Sequence, residues 1–239
     1  MAVENLTLGL RRGEFLSIVG PSGCGKSTLL RLVSGLEVPS IGSAEVLAER
    51  VGYVFQDPTL LPWRTVRRNV ELLAELERVP RAERRRRAAA AIRMVGLEGF
   101  EKVRPAALSG GMRMRASLAR SLVLEPDLFL FDEPFGALDE QTRERLNDEL
   151  QRLFTVRGFT ALFVTHSVTE AVFLGSRVAV MSGRPGRIVR EVDVPFDYPR
   201  SAQLRFSPEF GRIAGEVSNT LRDQVTTRSV AGTASHSEG

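Results

Sequence analysis

The sequence has one cysteine, Cys24, one tryptophan, Trp63, two histidines and, among its cations, only two lysines, Lys26 and Lys102. A single thiol excludes an intrachain disulfide and a cysteine-based metal cluster. Cys24 sits in a glycine-rich stretch, where its small side chain reads as filler rather than a redox centre. No run of about 18 apolar residues occurs, and no basic stretch followed by an apolar one opens the chain. The expectation is therefore a cytoplasmic protein with no membrane span of its own. A net charge of +4 invites a nucleic-acid reading, yet the basic residues are almost all arginines scattered among acids, which is a compositional bias rather than a binding stripe. Arg84-Arg85-Arg86-Arg87 is the densest cluster. With Ala88, Ala91, Ile92 and Val95 beside it, the run reads as the solvated face of a helix, so no nucleic-acid partner is expected.

What is present is enough for a sizeable core: 239 residues with 43% apolar side chains. Residues 5–10 predict a strand, and 15–19 a second one leading into glycines. Further strands are expected at 51–55, 128–131, 160–165 and 177–181. Helices are expected at 28–33, 66–77, 81–95, 112–124, 140–156 and 167–174, and from Thr226 the small, polar tail predicts disorder. Alternating strands and helices argue an α/β fold with a largely parallel sheet, interrupted by a helix-only insertion. The boundaries are 1–62 and 125–200 for the two parts of the core, 63–124 for the helical sub-domain and 201–239 for a C-terminal extension.

Two motifs carry chemistry. Gly20-Pro21-Ser22-Gly23-Cys24-Gly25-Lys26-Ser27-Thr28 lies between an apolar strand and a helix, the context in which a P-loop cradles a polyphosphate with backbone N–H groups and a helix dipole. Lys26 is placed for the β- and γ-phosphates and Ser27 for the accompanying Mg²⁺. The competing reading, a glycine turn with a chance lysine, does not account for the flanking strand and helix. Asp132-Glu133 ends the continuously apolar run 128–131, where open α/β sheets bind ligand. Asp132 suits the metal and Glu133 the polarisation of an attacking water.

In the same order stand Gln56, Leu108-Ser109-Gly110-Gly111, Ala137-Leu138-Asp139 and His166. Together these motifs resemble the nucleotide-binding subunit of an ATP-binding-cassette (ABC) transporter over residues 13–181. The resemblance implies a P-loop NTPase (RecA-like) core and assigns Gln56 to the Q-loop, 108–111 to the signature, 137–139 to the D-loop and His166 to the switch. It further implies ATP and Mg²⁺ as cofactors, with Gln56 joining Ser27 and Asp132 at the metal. Lys26, Gln56, Glu133 and His166 are the implied catalytic set. Ser109, Gly110, Gly111 and Asp139 are implied to meet nucleotide across a head-to-tail dimer with a second copy. A membrane permease would dock near residues 56–63, fed by a solute-binding protein, which places the subunit peripherally on the cytoplasmic face.

Trp63 reads either as core or as a proline-flanked anchor for that partner. Residues 60–63, 181–188 and 195–200 are similar to the nitrate, sulfonate and taurine importer branch, which also includes importers of pyrimidine-type precursors. Three departures stand out: residues 1–14 carry no adenine-stacking aromatic, the 39–50 loop is short, and Met112 replaces a glutamine usual after the signature glycines. They imply weaker nucleotide binding with the chemistry intact. Two further readings within or beside this family are a translation or DNA-repair ATPase and a non-catalytic ATP-dependent dimerisation module. The first calls for paired cassettes or a long inserted coiled coil, the second for a missing carboxylate or histidine; neither applies to this sequence.

Overall fold

The computed structural model describes residues 2–136 and 138–233, with side chains described through residue 224. It divides into two compact units, one made of the described residues up to Val46 and from Thr160 onward, the other Leu47–Phe159.

The first unit is built on β1 (Phe15–Val19), a run of five residues buried throughout. It pairs in parallel with β4 (Thr160–Val164) on one side and β5 (Arg177–Met181) on the other. Strands buried on both faces have no polar alternation to keep, which explains why Phe15, Leu16 and Ile18 can follow one another with a lone Ser17 between. β6 (Ile188–Asp193) adds an antiparallel edge to β5; its mostly exposed pattern hid it from periodicity. Helix α1 (Lys26–Val33) follows β1, and α7 (Val168–Leu174) joins β4 to β5. Helix α8 (Pro208–Thr233) closes the unit with Phe210, Ile213 and Val217 buried.

The second unit pairs β2 (Val51–Val54) in parallel with β3 (Leu128–Asp132). Between them run α2 (Val66–Val70), α3 (Leu72–Leu76), α4 (Arg81–Met94) and α5 (Gly110–Leu122). Helix α6 (Glu140–Arg157) follows β3, its Leu146, Leu150 and Phe154 buried at helical spacing. Phe154 and Phe129 both meet Phe159 edge-on, at 5.4 and 4.6 Å between ring centres, a geometry that adds to plain area burial. Along α4, Ala88, Ala91 and Ile92 are buried while Arg85 and Arg86 are exposed, so half of the arginine run faces solvent and Arg84 and Arg87 are half-buried. Among the described residues no helix is long and apolar enough to cross a membrane.

Three local expectations are corrected. Residues 5–10 form no strand: none of them pairs with a neighbouring strand, and the ladder contact beside them is the isolated bridge of Val3 with Gly186. Helix α5 starts at Gly110 rather than Met112 because Ser109 caps it. The chain is helical to Thr233, past the expected start of disorder at Thr226; extending an established helix is far cheaper than nucleating one. Residues 234–239 lie outside the described residues. The expected 66–77 helix is interrupted only at Glu71, which keeps helical dihedrals.

Candidate functional site

In the first unit, β1 runs into residues 20–25 and α1 begins at Lys26 with Gly25 as N-cap. Gly25 has φ 109, and a Cβ there would stand 2.6 Å from Val3 Cγ1 and 2.8 Å from the Ala2 carbonyl oxygen. No L side chain fits that backbone or that space. The consequence is a loop free to turn its N–H groups inward at the positive end of a helix, a geometry that attracts anions. Lys26 is buried, and its Nζ donates to Gly20 O (2.9 Å) and Pro21 O (3.1 Å). The ammonium is thereby folded back over the loop entrance. Cys24 is buried, as filler should be, whereas Pro21 and Ser27 are half-buried and Ser22 and Gly23 exposed. Ser27 and Thr28 occupy the first turn of α1.

His166 stands exposed just after β4. Its flanks are tied together: Thr165 Oγ1 donates to buried Glu170, Ser167 N–H to Thr165 Oγ1 (3.0 Å), and Glu170 N–H to Ser167 Oγ (3.2 Å). The histidine is thus presented by a braced turn, with Ser167 as the N-cap of α7.

In the second unit, Asp132 is the buried last residue of β3, and Glu133 follows, half-buried, with φ 46. A left-handed backbone costs a non-glycine residue roughly 1–2 kcal/mol, and such strain gathers at functional positions. Ser109 caps α5 by accepting from Met112 N–H at 3.2 Å, which leaves the hydroxyl hydrogen able to donate. Ser109 and Gly110 are exposed, but a Cβ on Gly111 would come within 2.9 Å of Leu138 Cδ2. A side chain at position 111 would displace the end of the Leu138 side chain, beside Asp139. Asp139 accepts from Thr142 N–H at 2.9 Å as the cap of α6; that bond holds its carboxyl below the usual range. Ala137 lies outside the described residues.

Gln56 is exposed just past β2, and Trp63 is 68% exposed, so the core alternative for the tryptophan is excluded. Two buried polar side chains that sequence reasoning passed over hold this loop. Arg120 of α5 donates to Thr59 O and Oγ1 (both 2.8 Å) and Pro58 O (3.2 Å). Asn69 of α2 accepts from Leu61 N–H (2.8 Å) and donates to the carbonyls of Leu61, Arg64 and Thr65, each at 3.1 Å. An arginine among Leu118, Ala119, Ser121 and Leu122 was the available signal, since charge on a buried helix face needs a partner. Among the described residues no cluster of three or more His, Cys, Asp or Glu forms a metal cage.

Comparison with known proteins bears on the family and the fold. The family model described as ABC transporter matches residues 3–136. The chain is 46% identical over 231 residues to an uncharacterized ABC transporter ATP-binding protein of Methanocaldococcus jannaschii, covering 94% of this chain and 85% of that protein. It is 42% identical over 244 residues to the nitrate import ATP-binding protein of Synechocystis sp., covering 97% and 92%. A taurine import ATP-binding protein of Pseudomonas aeruginosa is 42% identical over 223 residues, covering 88% and 85%. Among solved structures, a dimeric post-hydrolysis ATP-binding cassette bound to ADP and Pi superposes with a TM-score of 0.74 at 33% identity, covering 82% of this chain and 92% of that one.

Proposed function

The chain belongs to the ABC transporter family, and we propose that it is the ATP-hydrolysing subunit that energises import of a small anionic solute, of the nitrate, sulfonate or taurine kind, through a separate membrane permease. The import reading is supported by relatives named as nitrate, taurine and aliphatic sulfonate import ATP-binding proteins. The observation that carries hydrolysis is buried Asp132 followed by Glu133 in a costly left-handed conformation at the end of β3.

In this reading the N–H groups of residues 20–25 and the N-terminus of α1 hold the phosphates, and Lys26 sets its ammonium on the β- and γ-phosphates. Ser27 of the first unit, and Gln56 and Asp132 of the second, are the residues assigned to Mg²⁺, and each would offer it the oxygen ligand that this hard cation prefers. Bound Mg²⁺ supplies neutralisation of charge on the transferring phosphoryl group. Glu133 accepts a proton from the attacking water, and His166 orients that water against the γ-phosphate. Ser109, Gly110 and Gly111, at the exposed start of α5, are assigned to the nucleotide of a second copy, with Asp139 at the same seam. The permease is assigned to the loop from Gln56 to Trp63, which places this subunit on the cytoplasmic face of the membrane, and the solute-binding protein acts only through the permease.

Purified chain with Mg²⁺ and ATP is expected to release phosphate, and Glu133→Gln to cut turnover by roughly 10²- to 10⁴-fold, the usual worth of a general base. The same variant should collect as an ATP-dependent dimer on size exclusion. Near-normal turnover of Glu133→Gln removes Glu133 from the role. Deleting the gene and following uptake of nitrate, taurine and aliphatic sulfonates tests the solute class; unchanged uptake of all three refutes it.

A further inference from the structure

The segment Pro195-Phe196-Asp197-Tyr198-Pro199-Arg200 has no part in the scheme above, yet it holds one of the few buried arginines of the described residues. Arg200 Nη1 donates to the carbonyls of Val172 (2.9 Å), Phe173 (2.9 Å) and Gly175 (3.0 Å). Its Nε and Nη2 hold Phe196 O at 3.2 and 2.8 Å, and its guanidinium lies 4.2 Å from the centre of the Tyr198 ring. The Tyr198 hydroxyl donates to Leu174 O. Four consecutive carbonyls at the end of α7 are therefore satisfied by two side chains of this one segment.

Those carbonyls belong to the set that every helix leaves without internal partners. Glu170, Ala171, Val172, Phe173 and Leu174 are all buried, so water is a poor substitute, and a buried unpaired carbonyl is costly. The guanidinium also meets the negative end of the helix dipole. Helix α7 is only seven residues, about 10 Å, and helices so short hold no shape of their own in water. Its first turn is locked to both neighbours of His166 through Glu170 and Ser167. A shift at the far end has no slack to absorb it before the histidine.

We propose that Arg200 is a positioning residue for His166: it pins the C-terminal end of α7, and α7 sets the turn that presents the imidazole. This inference rests on the catalytic reading of His166. Arg200 touches none of the reacting atoms, so its effect belongs to turnover and not to nucleotide affinity.

The test is a double-mutant cycle on the full chain, reading steady-state phosphate release. Arg200→Met is expected to lower kcat by about 10- to 100-fold, the scale of a small misplacement of a reacting group, with KM for ATP within about twofold. Arg200→Lys, which restores one charged donor against the α7 carbonyls, recovers part of the loss. In a His166→Ala background, Arg200→Met is expected to change turnover by less than about twofold, because the group it positions is gone. A loss of the same factor in both backgrounds, or no loss in either, overturns the inference and leaves the reading of His166 intact. Normal turnover of His166→Ala overturns that reading, and the inference with it. If Arg200→Met does not fold, Tyr198→Phe, which deletes only the hydroxyl on Leu174 O, is run through the same cycle against the same outcomes.

Discussion

Replacing Asn69 by leucine tests how the exposed tryptophan loop is held. The side chain is fully buried and makes four hydrogen bonds to the backbone of residues 61–65. Two of the partners keep another bond in the variant: Leu61 O still accepts from Arg64 N–H (3.1 Å), and Thr65 O from the N–H of residue 69 (2.8 Å). The other two, Leu61 N–H and Arg64 O, lose the partner that the structure gives them. Leucine is close in shape, so the cost is that of leaving one donor and one acceptor unmade. Both groups are half-buried, which puts each at about 1–2 kcal/mol and the pair at about 2–4 kcal/mol. Urea unfolding followed by far-ultraviolet circular dichroism measures the loss directly, and acrylamide quenching of Trp63 should rise in the native state as the loop loosens. Asn69→Asp is expected to be worse than Asn69→Leu, since it keeps the acceptor for Leu61 N–H but turns a negative oxygen toward three carbonyls. In the assembled transporter, Asn69→Leu should lower solute uptake more than ATP turnover. A stability change below about 0.5 kcal/mol, the range of a neutral surface substitution, refutes the assignment.

Gly25→Ala is expected to weaken nucleotide binding by more than tenfold, a penalty of about 1.4 kcal/mol or more, because φ 109 and the 2.6 Å approach of Val3 force the loop to move. Calorimetric titration with ATP checks this, and an affinity within twofold of the parent contradicts it. Burial raises the Tyr198 hydroxyl to about 12, above its value of about 10 in the unfolded chain. The unfolded state then releases a proton that the folded state retains, so the stability from this group is whole below pH 10 and is lost as the pH rises from about 10 to about 12. Tyr198→Phe should flatten the decline in that window, seen as alkaline unfolding midpoints; an unchanged slope excludes Tyr198 as its source.

The phosphate loop was legible in the sequence because its geometry is local. Glycine spacing, the strand before it and the helix after it are all encoded within some twenty residues, and the structure forms the expected strand, turn and helix there. Central strands such as β3 were legible for a related reason: a continuous apolar run between turn signals has few alternatives. Strand β6 was not, since it is a largely exposed edge, and helix α8 was passed over although its buried Phe210, Ile213 and Val217 stand at helical spacing. The side chains that hold the candidate site in place were the least visible. Asn69, Arg120 and Arg200 look like ordinary polar residues until tertiary structure supplies their carbonyls, and a one-dimensional pattern does not record which backbone groups lack partners. Residues 5–10 show the opposite failure: local propensity favoured a strand where no neighbouring strand supplies a ladder.

Helix α5 begins at the cap made by Ser109 and, three turns later, holds Pro58 and Thr59 through Arg120. A rod of about 20 Å thus joins the residues proposed to touch phosphate to the loop proposed to touch the permease. Two ligands coupled through one rigid body are bound by thermodynamic reciprocity. Whatever factor a seated permease adds to the grip of Ser109 on nucleotide, nucleotide must return to the grip of the loop on the permease. Where that factor exceeds one, losing the nucleotide held by Ser109, which sits on the second copy, weakens this subunit's attachment by the same free energy, and measuring either affinity in the presence and absence of the other ligand fixes the coupling.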